Sequence, residues 1–375
     1  MINFAPHVVD NGPASEPLIA EIGAPLPIAQ ASARNRVVLA PMSGVTDLPF
    51  RHLANRFGAG LVVSEMVASQ ELVVDNPDSR LRMDVSGLET SVVQLAGREA
   101  QWMGEAAKIA EGAGASIIDI NMGCPAKKVT SGYSGSALMR DLDHALTLVE
   151  ATVAASSVPV TLKMRLGWDD SSINAPELAR RACEAGVQMI TVHGRTRCQF
   201  YKGWADWPAI AAVKQAVDVP VVANGDVVSV ADARRILQES GCDAVMAGRG
   251  AYGRPWLPGY LASADPDRFL ADLPAPVDLI AEHYAALVSH HAVHKGVPLG
   301  VRIARKHFGW YLDTTDLLRP LPMDQRDVLF GSDDPNQVSR VIKEVWADAV
   351  WQRPVGRESG ANGDLSGDMY KARAA

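Results

Sequence analysis

The chain reads as an α/β protein, a (β/α)8 TIM barrel followed by a smaller helical domain. Three observations predict it. Eight short apolar runs rich in β-formers alternate with helix-compatible stretches across residues 36–248, and eight is the number of strands that closes such a barrel. Nearly every run ends in a residue able to touch a ligand, which a barrel would gather on one face. Beyond about Asp265 the strand pattern stops, and helical periodicity runs from about Val277 to Trp351.

Taken in order, the run 36–42 leads into Met42 and Ser43, 61–66 carries Glu65, and 91–97 carries Gln94. The run 116–122 ends at Asn121, 159–164 carries Lys163, and 189–193 ends at His193. The last two, 220–224 and 244–248, lead into Asn224-Gly225-Asp226 and Gly248-Arg249. Between them, 99–111, 141–155, 175–185 and 230–239 read as crossover helices. An open doubly wound sheet has the same periodicity, but it would string these ends along an edge too long to share one ligand. The barrel is therefore the better reading. The boundaries expected are an N-terminal extension over 1–33, a catalytic barrel over 34–265, a helical domain over 266–351 and a disordered tail over 352–375, where Gly, Ser and Asp rise and apolar residues thin out.

Composition narrows the class. With 375 residues and 47% apolar content the chain can bury a sizeable core. No apolar run reaches the roughly 18 residues of a membrane span, and the N-terminus, with Asp10 and Glu16, does not read as a signal peptide. The four cysteines are widely spaced and match no zinc pattern, which points to reduced thiols in the cytoplasm and to no metal. The net charge of -7 runs against a global nucleic-acid footprint, so a polyanion would need locally gathered basic residues.

The chemistry centres on Asn121-Met122-Gly123-Cys124-Pro125, the exit of a buried strand into a loop. An ordinary thiol, with a pKa near ~8.5, is mostly protonated at neutral pH and can donate a proton, so Cys124 reads as a general acid first and a nucleophile second. The stretch 248–253 matches GxGxxG, but it follows the eighth strand instead of opening a βαβ unit, which argues against a dinucleotide fingerprint. Loops after strands 7 and 8 of a barrel commonly hold phosphate, and Asn224, Gly225, Asp226, Gly248 and Arg249 fit that role; a bare turn is the plain alternative for either motif. The tight Ala40-Pro41-Met42 turn offers backbone and a flat apolar contact, Gln94 a polar edge, and Lys163 a charge suited to the pyrimidine side of a flavin. Lys163 could also serve as a Schiff-base lysine.

The segment 121–129, continuing to Gly135-Ser136-Ala137-Leu138, resembles the signature of the tRNA-dihydrouridine synthases, most of all their bacterial B branch. The likeness spans roughly Arg34 to Trp351, including 40–47, 79–82, 192–197 and Trp204. It implies an FMN-dependent reduction of the C5=C6 bond of uridine in tRNA, with NADPH or NADH as electron donor and Cys124 supplying the proton at C5. The family's flavin positions map onto Pro41, Met42, Ser43, Gln94, Lys163, His193, Asn224, Gly225, Asp226, Gly248 and Arg249. Asn121, Arg165 and Arg195 are expected to hold the base. Lys127 and Lys128, and Arg302, Arg305 and Lys306 at helical spacing on one face with His307 beside them, are expected to hold RNA. Each has a plainer reading: Asn121 as a loop cap, Arg165 in a rim salt bridge, His193 as a core histidine, the basic face as merely solvated. The rival functions are a flavin barrel acting on a free pyrimidine or dihydroorotate, and a non-catalytic tRNA-binding flavoprotein.

Overall fold

The computed structural model describes residues 22–356. Its centre is a closed barrel of eight parallel strands: β3 (Val37–Leu39), β4 (Leu61–Val62) resuming as β5 (Val67–Ala68), β6 (Val92–Ala96), β7 (Ile117–Met122), β8 (Val160–Arg165), β9 (Met189–His193), β10 (Val221–Asn224) and β11 (Ala244–Ala247). β11 pairs with β3, and Val63 bridges in parallel to Val92, so the sheet has no open edge. All eight expected runs become strands. The second is interrupted at 63–66, where the Ser64 hydroxyl donates to the Glu65 carbonyl and the Glu65 carboxylate accepts from Gly44 N.

Two layers fill the molecule. Outward-facing strand residues such as Ile118, Ile120 and Leu162 pack on the helices, while Val38, Val63, Val92, Ile117, Val222 and Ala244 fill the barrel interior. A hairpin, β1 (Leu26–Ile28) with β2 (Ala31–Ala33), adds Leu26, Ile28 and Ala33 to that interior cluster. The later part of the expected extension is thus a plug of the barrel, and residues 1–21 lie outside the described residues.

Helix ends follow their local chemistry. The helix Leu48–Arg56 starts at Asp47, whose carboxylate accepts from Phe50 N, with proline in its first turn. Val230–Ser240 opens on a Ser229–Asp232 capping box and ends at Gly241 with φ 64°. Helices Pro276–Lys295, Val297–Thr314, Met323–Gly331 and Pro335–Val345 form the C-terminal helical region. It is not strand-free as expected: β12 (Thr315–Asp316) pairs antiparallel with β13 (Val350–Trp351), and two residues each are too short to carry a period-two signal. Of the expected tail, 352–356 stay ordered, with Gln352 bonded to Thr314 O and Asp316, and 357–375 lie outside the described residues. Among the described residues no helix is long and apolar enough to cross a membrane.

The helical region meets the barrel along a buried histidine seam. His291 bonds Asp47 at 3.1 Å, His283 bonds the Tyr311 hydroxyl at 2.8 Å, and the His307 ring packs against Phe50, His283 and Trp310. Burial drives His283 down to about 4 and His307 well below the ordinary histidine value. Both are neutral in the fold near pH 7, whereas an unfolded chain protonates histidine below about pH 6.5, each unit of separation being worth about 1.4 kcal/mol. The unfolded state therefore binds the extra protons as pH falls, and stability is lost from about pH 6.5 down towards 4. His307→Phe, which keeps a ring against these neighbours, is expected to flatten the drop in Tm between about pH 7 and 4.5. An unchanged slope in thermal denaturation across that range would refute the assignment.

Candidate active site

The C-terminal ends of the strands open into a cavity of about 860 Å³. Parallel register brings residues from every strand to this rim. Pro41, Met42 and Ser43 line one wall, and Gln94, Lys163 and His193 rise from the floor. Asn224-Gly225-Asp226 and Gly248-Arg249 line another side, and Asn121, Cys124 and Lys128 complete the mouth. Fourteen of the residues singled out in the sequence thus meet in one cavity. Lys127, Arg165, Arg195, Arg302, Arg305 and Lys306 are not among its lining residues.

Cys124 is half-buried on the loop leaving β7. Its backbone N–H and that of Gly123 donate to the Asn121 side-chain oxygen at 3.0 and 3.2 Å. Its carbonyl accepts from the Ser136 hydroxyl at 2.8 Å. Gly135, at φ 59°, allows that approach, since a Cβ there would sit 2.9 Å from the Cys124 carbonyl oxygen. Asn121 is therefore the cap of the Cys124 loop as well as a wall of the cavity. Its amide N–H2 donates to Gln94 Oε1 at 2.7 Å, and Gln94 Nε2 donates to Asp119 at 2.7 Å, with Thr161 Oγ1 donating to the other carboxylate oxygen at 2.6 Å. Asp119 and Thr161 were not singled out in the sequence. The available signal was a charged residue two positions before Asn121 on an otherwise apolar strand, hence on the same inward face.

Electrostatics sorts the basic groups. Lys163 Nζ donates to Asn224 Oδ1 at 3.2 Å, and Asn224 Nδ2 in turn donates to Met246 O. Burial and the neighbouring Arg165 bring Lys163 down to about 8, with Asp119 and Cys124 opposing. Burial, Arg165 and Lys163 hold His193 well below its ordinary value, so it is neutral. Arg195 lies 3.2 Å from His193 Nε2 and can only donate, which assigns the ring proton to Nδ1.

Two arginines expected to hold a base do other work here. Arg195 is buried and grips Asp226 with two hydrogen bonds of 3.0 and 2.7 Å, while also donating to the carbonyls of Lys202 and Gly203. Arg165 is buried and donates to Gly123 O, Thr196 O and Phe200 O, tying the cysteine loop to the loop after β9. It forms no rim salt bridge: its Nε and Nη1 are engaged by three backbone carbonyls. Arg249 bonds Asp226 at 3.2 Å and lies 4.5 Å over the Tyr201 ring, which Arg165 approaches at 5.5 Å. Tyr201 and Phe200, both exposed at the mouth, also escaped the sequence reading.

On the expected basic face of the helix Val297–Thr314 the arginines are engaged in ion pairs, although Arg302 stays exposed. Arg302 and Arg305 both pair with Asp333 at 2.5 Å, and Arg305 also donates to the carbonyls of Gly331 and Ser332. Lys306 is half-buried over Gly44, at the turn whose Ser43 lines the cavity, and His307 is buried in the histidine seam. Lys127 and Lys128 are exposed beside Cys124, as expected. Among the described residues no group of three or more His, Cys, Asp or Glu side chains is arranged to hold a metal ion.

The family model described as "Dihydrouridine synthase (Dus)" matches residues 38–327. The chain is 58% identical over 309 residues to a probable tRNA-dihydrouridine synthase of Rhizobium leguminosarum bv. phaseoli, covering 82% of this chain and 94% of that one. It is 49% identical to the tRNA-dihydrouridine synthase B of Pseudomonas putida, covering 76% and 85%. Among solved structures, histamine dehydrogenase from Rhizobium sp. 4-9 superposes with a TM-score of 0.53 at 14% identity, covering 72% of this chain and 51% of that one, a likeness of fold alone. With the match running from the first barrel strand into the helical region, the chain belongs to the dihydrouridine synthase family.

Proposed function

We propose that this enzyme reduces the C5=C6 bond of a uridine in tRNA to 5,6-dihydrouridine, with FMN as bound cofactor and NADPH or NADH as electron donor, in the cytoplasm. The observation that carries the reading is Cys124 held at the mouth of the same cavity whose floor presents Lys163, neutral His193 and the two glycine turns. Membership in the family, with tRNA-named relatives covered over most of their length, supports the substrate.

The residues present fit an FMN. The Pro41–Ser43 turn lies flat along one wall, and the side of the cavity formed by the turns after β10 and β11 suits a phosphate. Gly225, at φ 130°, keeps that side open, since a Cβ there would crowd Ala205 and approach the His193 ring. Lys163 and His193 would face the ring, and Arg249 the phosphate. Bound and reduced, FMN supplies a hydride to C6 of the uracil. Cys124 holds the proton for C5 and delivers it as negative charge develops towards O4; assistance of this type is worth roughly 10²–10⁴ in rate. Overall, NADPH or NADH provides the hydride equivalent and one proton enters through the thiol.

A stacked base cannot reach this depth, so the uridine must swing out of the RNA, at a cost of a few kcal/mol. Lys127 and Lys128 stand where flanking phosphates would pass, and the helical region 266–351 is proposed as the second RNA-docking surface. Such local patches suit a chain of net charge -7, because screening over roughly 8–10 Å lets the near field dominate.

Incubating the protein with unmodified tRNA, FMN and NADPH should yield dihydrouridine only when all are present; none, with NADPH still consumed, would move the reading to a free small molecule. Cys124→Ala should cut dihydrouridine formation roughly 10²–10⁴-fold with tRNA binding intact. Full-rate product from that variant would sink the general-acid role. For the RNA surface, replacing both Lys127 and Lys128 with Ala should weaken tRNA binding and reduce the slope of log K against log salt by about 1 for each phosphate no longer neutralised. Arg305→Ala should instead lower Tm more than affinity, because its guanidinium is engaged within the fold; binding titrations and thermal denaturation separate the two.

A further inference from the structure

We infer that Asp119 is a positioning residue, the terminal acceptor of a buried amide relay that holds the Cys124 loop in place. The inference deepens the proposed function, although its first test does not depend on turnover.

Four side chains from three adjacent strands make the relay with the Cys124 N–H, and every donor in it points towards Asp119. Cys124 N–H donates to Asn121 Oδ1, Asn121 Nδ2 to Gln94 Oε1, and Gln94 Nε2 to Asp119 Oδ2, at 3.0, 2.7 and 2.7 Å. Thr161 closes it from β8, donating at 2.6 Å to Asp119 Oδ1. Asp119, Gln94 and Asn121 are all buried. On β7 the layer beneath is Ile117, part of the apolar barrel interior.

The order of these bonds is chemically forced at both ends. A carboxylate only accepts, and a backbone N–H only donates. Between them each carboxamide has one orientation that satisfies both neighbours, because turning either one round sets donor against donor or acceptor against acceptor. Without an acceptor at position 119, Gln94 Nε2 would lose the partner that fixes its orientation. Asn121 would then lose the fixed partner that keeps its oxygen on the Cys124 amide. Bonds polarised in one direction reinforce one another, and a buried donor without a partner is costly. Among the described residues, the cysteine loop leaves β7 with Arg165 and Ser136 as its other side-chain ties, on the carbonyls of Gly123 and Cys124. The relay is the tie on its N–H groups.

The experiment compares alkylation of Cys124 with that of the exposed Cys198 on the same chain, by iodoacetamide and mass spectrometry, in the FMN-loaded protein without tRNA or NADPH. Asp119→Ala is expected to raise the Cys124 to Cys198 ratio about threefold or more as a buried hydrogen bond is lost. Asp119→Asn is expected to stay near the parent ratio, since its oxygen can accept from Gln94 while its nitrogen donates to the Thr161 hydroxyl. In turnover, Asp119→Ala should lower kcat roughly tenfold with KM for tRNA within about twofold, and Asp119→Asn should recover most of the loss. An unchanged ratio in Asp119→Ala overturns the inference. So does an Asp119→Asn protein as impaired as Asp119→Ala, which would assign the effect to charge. If Asp119→Ala does not fold, Gln94→Met cuts the relay at its middle, and an unchanged ratio there overturns it equally. A parent protein that makes no dihydrouridine refutes the proposed function, while the alkylation ratios still judge the relay.

Discussion

The ion pair of Arg195 with Asp226 is the interaction on which the rest of the site depends. Both groups lie at the end of barrel strands with little access to water, so neither is tolerable without the other. Removing one partner of such a pair costs more than the pair itself contributes, because a charge is left in a poor solvent. Through this pair the loop after β9 is bound to the turn after β10, and Arg249 joins the same carboxylate from the turn after β11. Tyr201 lies against Arg249 and Arg165, and Arg165 reaches across to Gly123, one residue from Cys124. One chain of contacts therefore runs from the proposed phosphate side to the cysteine loop.

A second frame supports the opposite wall. Asp47 caps the helix after the Pro41–Val45 turn and also receives His291 from the helical region. Burial alone would push its carboxyl up, but the bond to His291 and the nearby His283 outweigh this and hold it below the ordinary value. Lys306 packs over Gly44 in the same turn. The helical region thus braces the wall that lines the cavity, and one of its bracing groups, Lys306, is among those the sequence pattern suggested for RNA.

Much of this was legible beforehand. Period-two and apolar runs located all eight barrel strands, and the polar residue at the end of each run marked the rim. The Asn121–Pro125 segment placed the thiol on the correct loop. What escaped were partners. Asp119 is one charge in an apolar strand, and nothing in its neighbours along the chain shows that Gln94 and Thr161 flank it. Arg165 and Arg195 have the same residue type whether they face a ligand, backbone carbonyls or a buried carboxylate. The spacing of Arg302, Arg305 and Lys306 shows where they sit on a helix, not that Asp333 lies across from two of them.

The sequence by itself determined the barrel, its strand order, the rim and the loop that carries Cys124, because these follow from hydrophobic period and from short-range geometry. Tertiary structure alone decided which polar groups are free to meet a ligand and which are held by one another. The reason is physical: buried donors and charges must be paired, and the pairing partner of a strand-end residue lies on a neighbouring strand, tens of residues away in the chain.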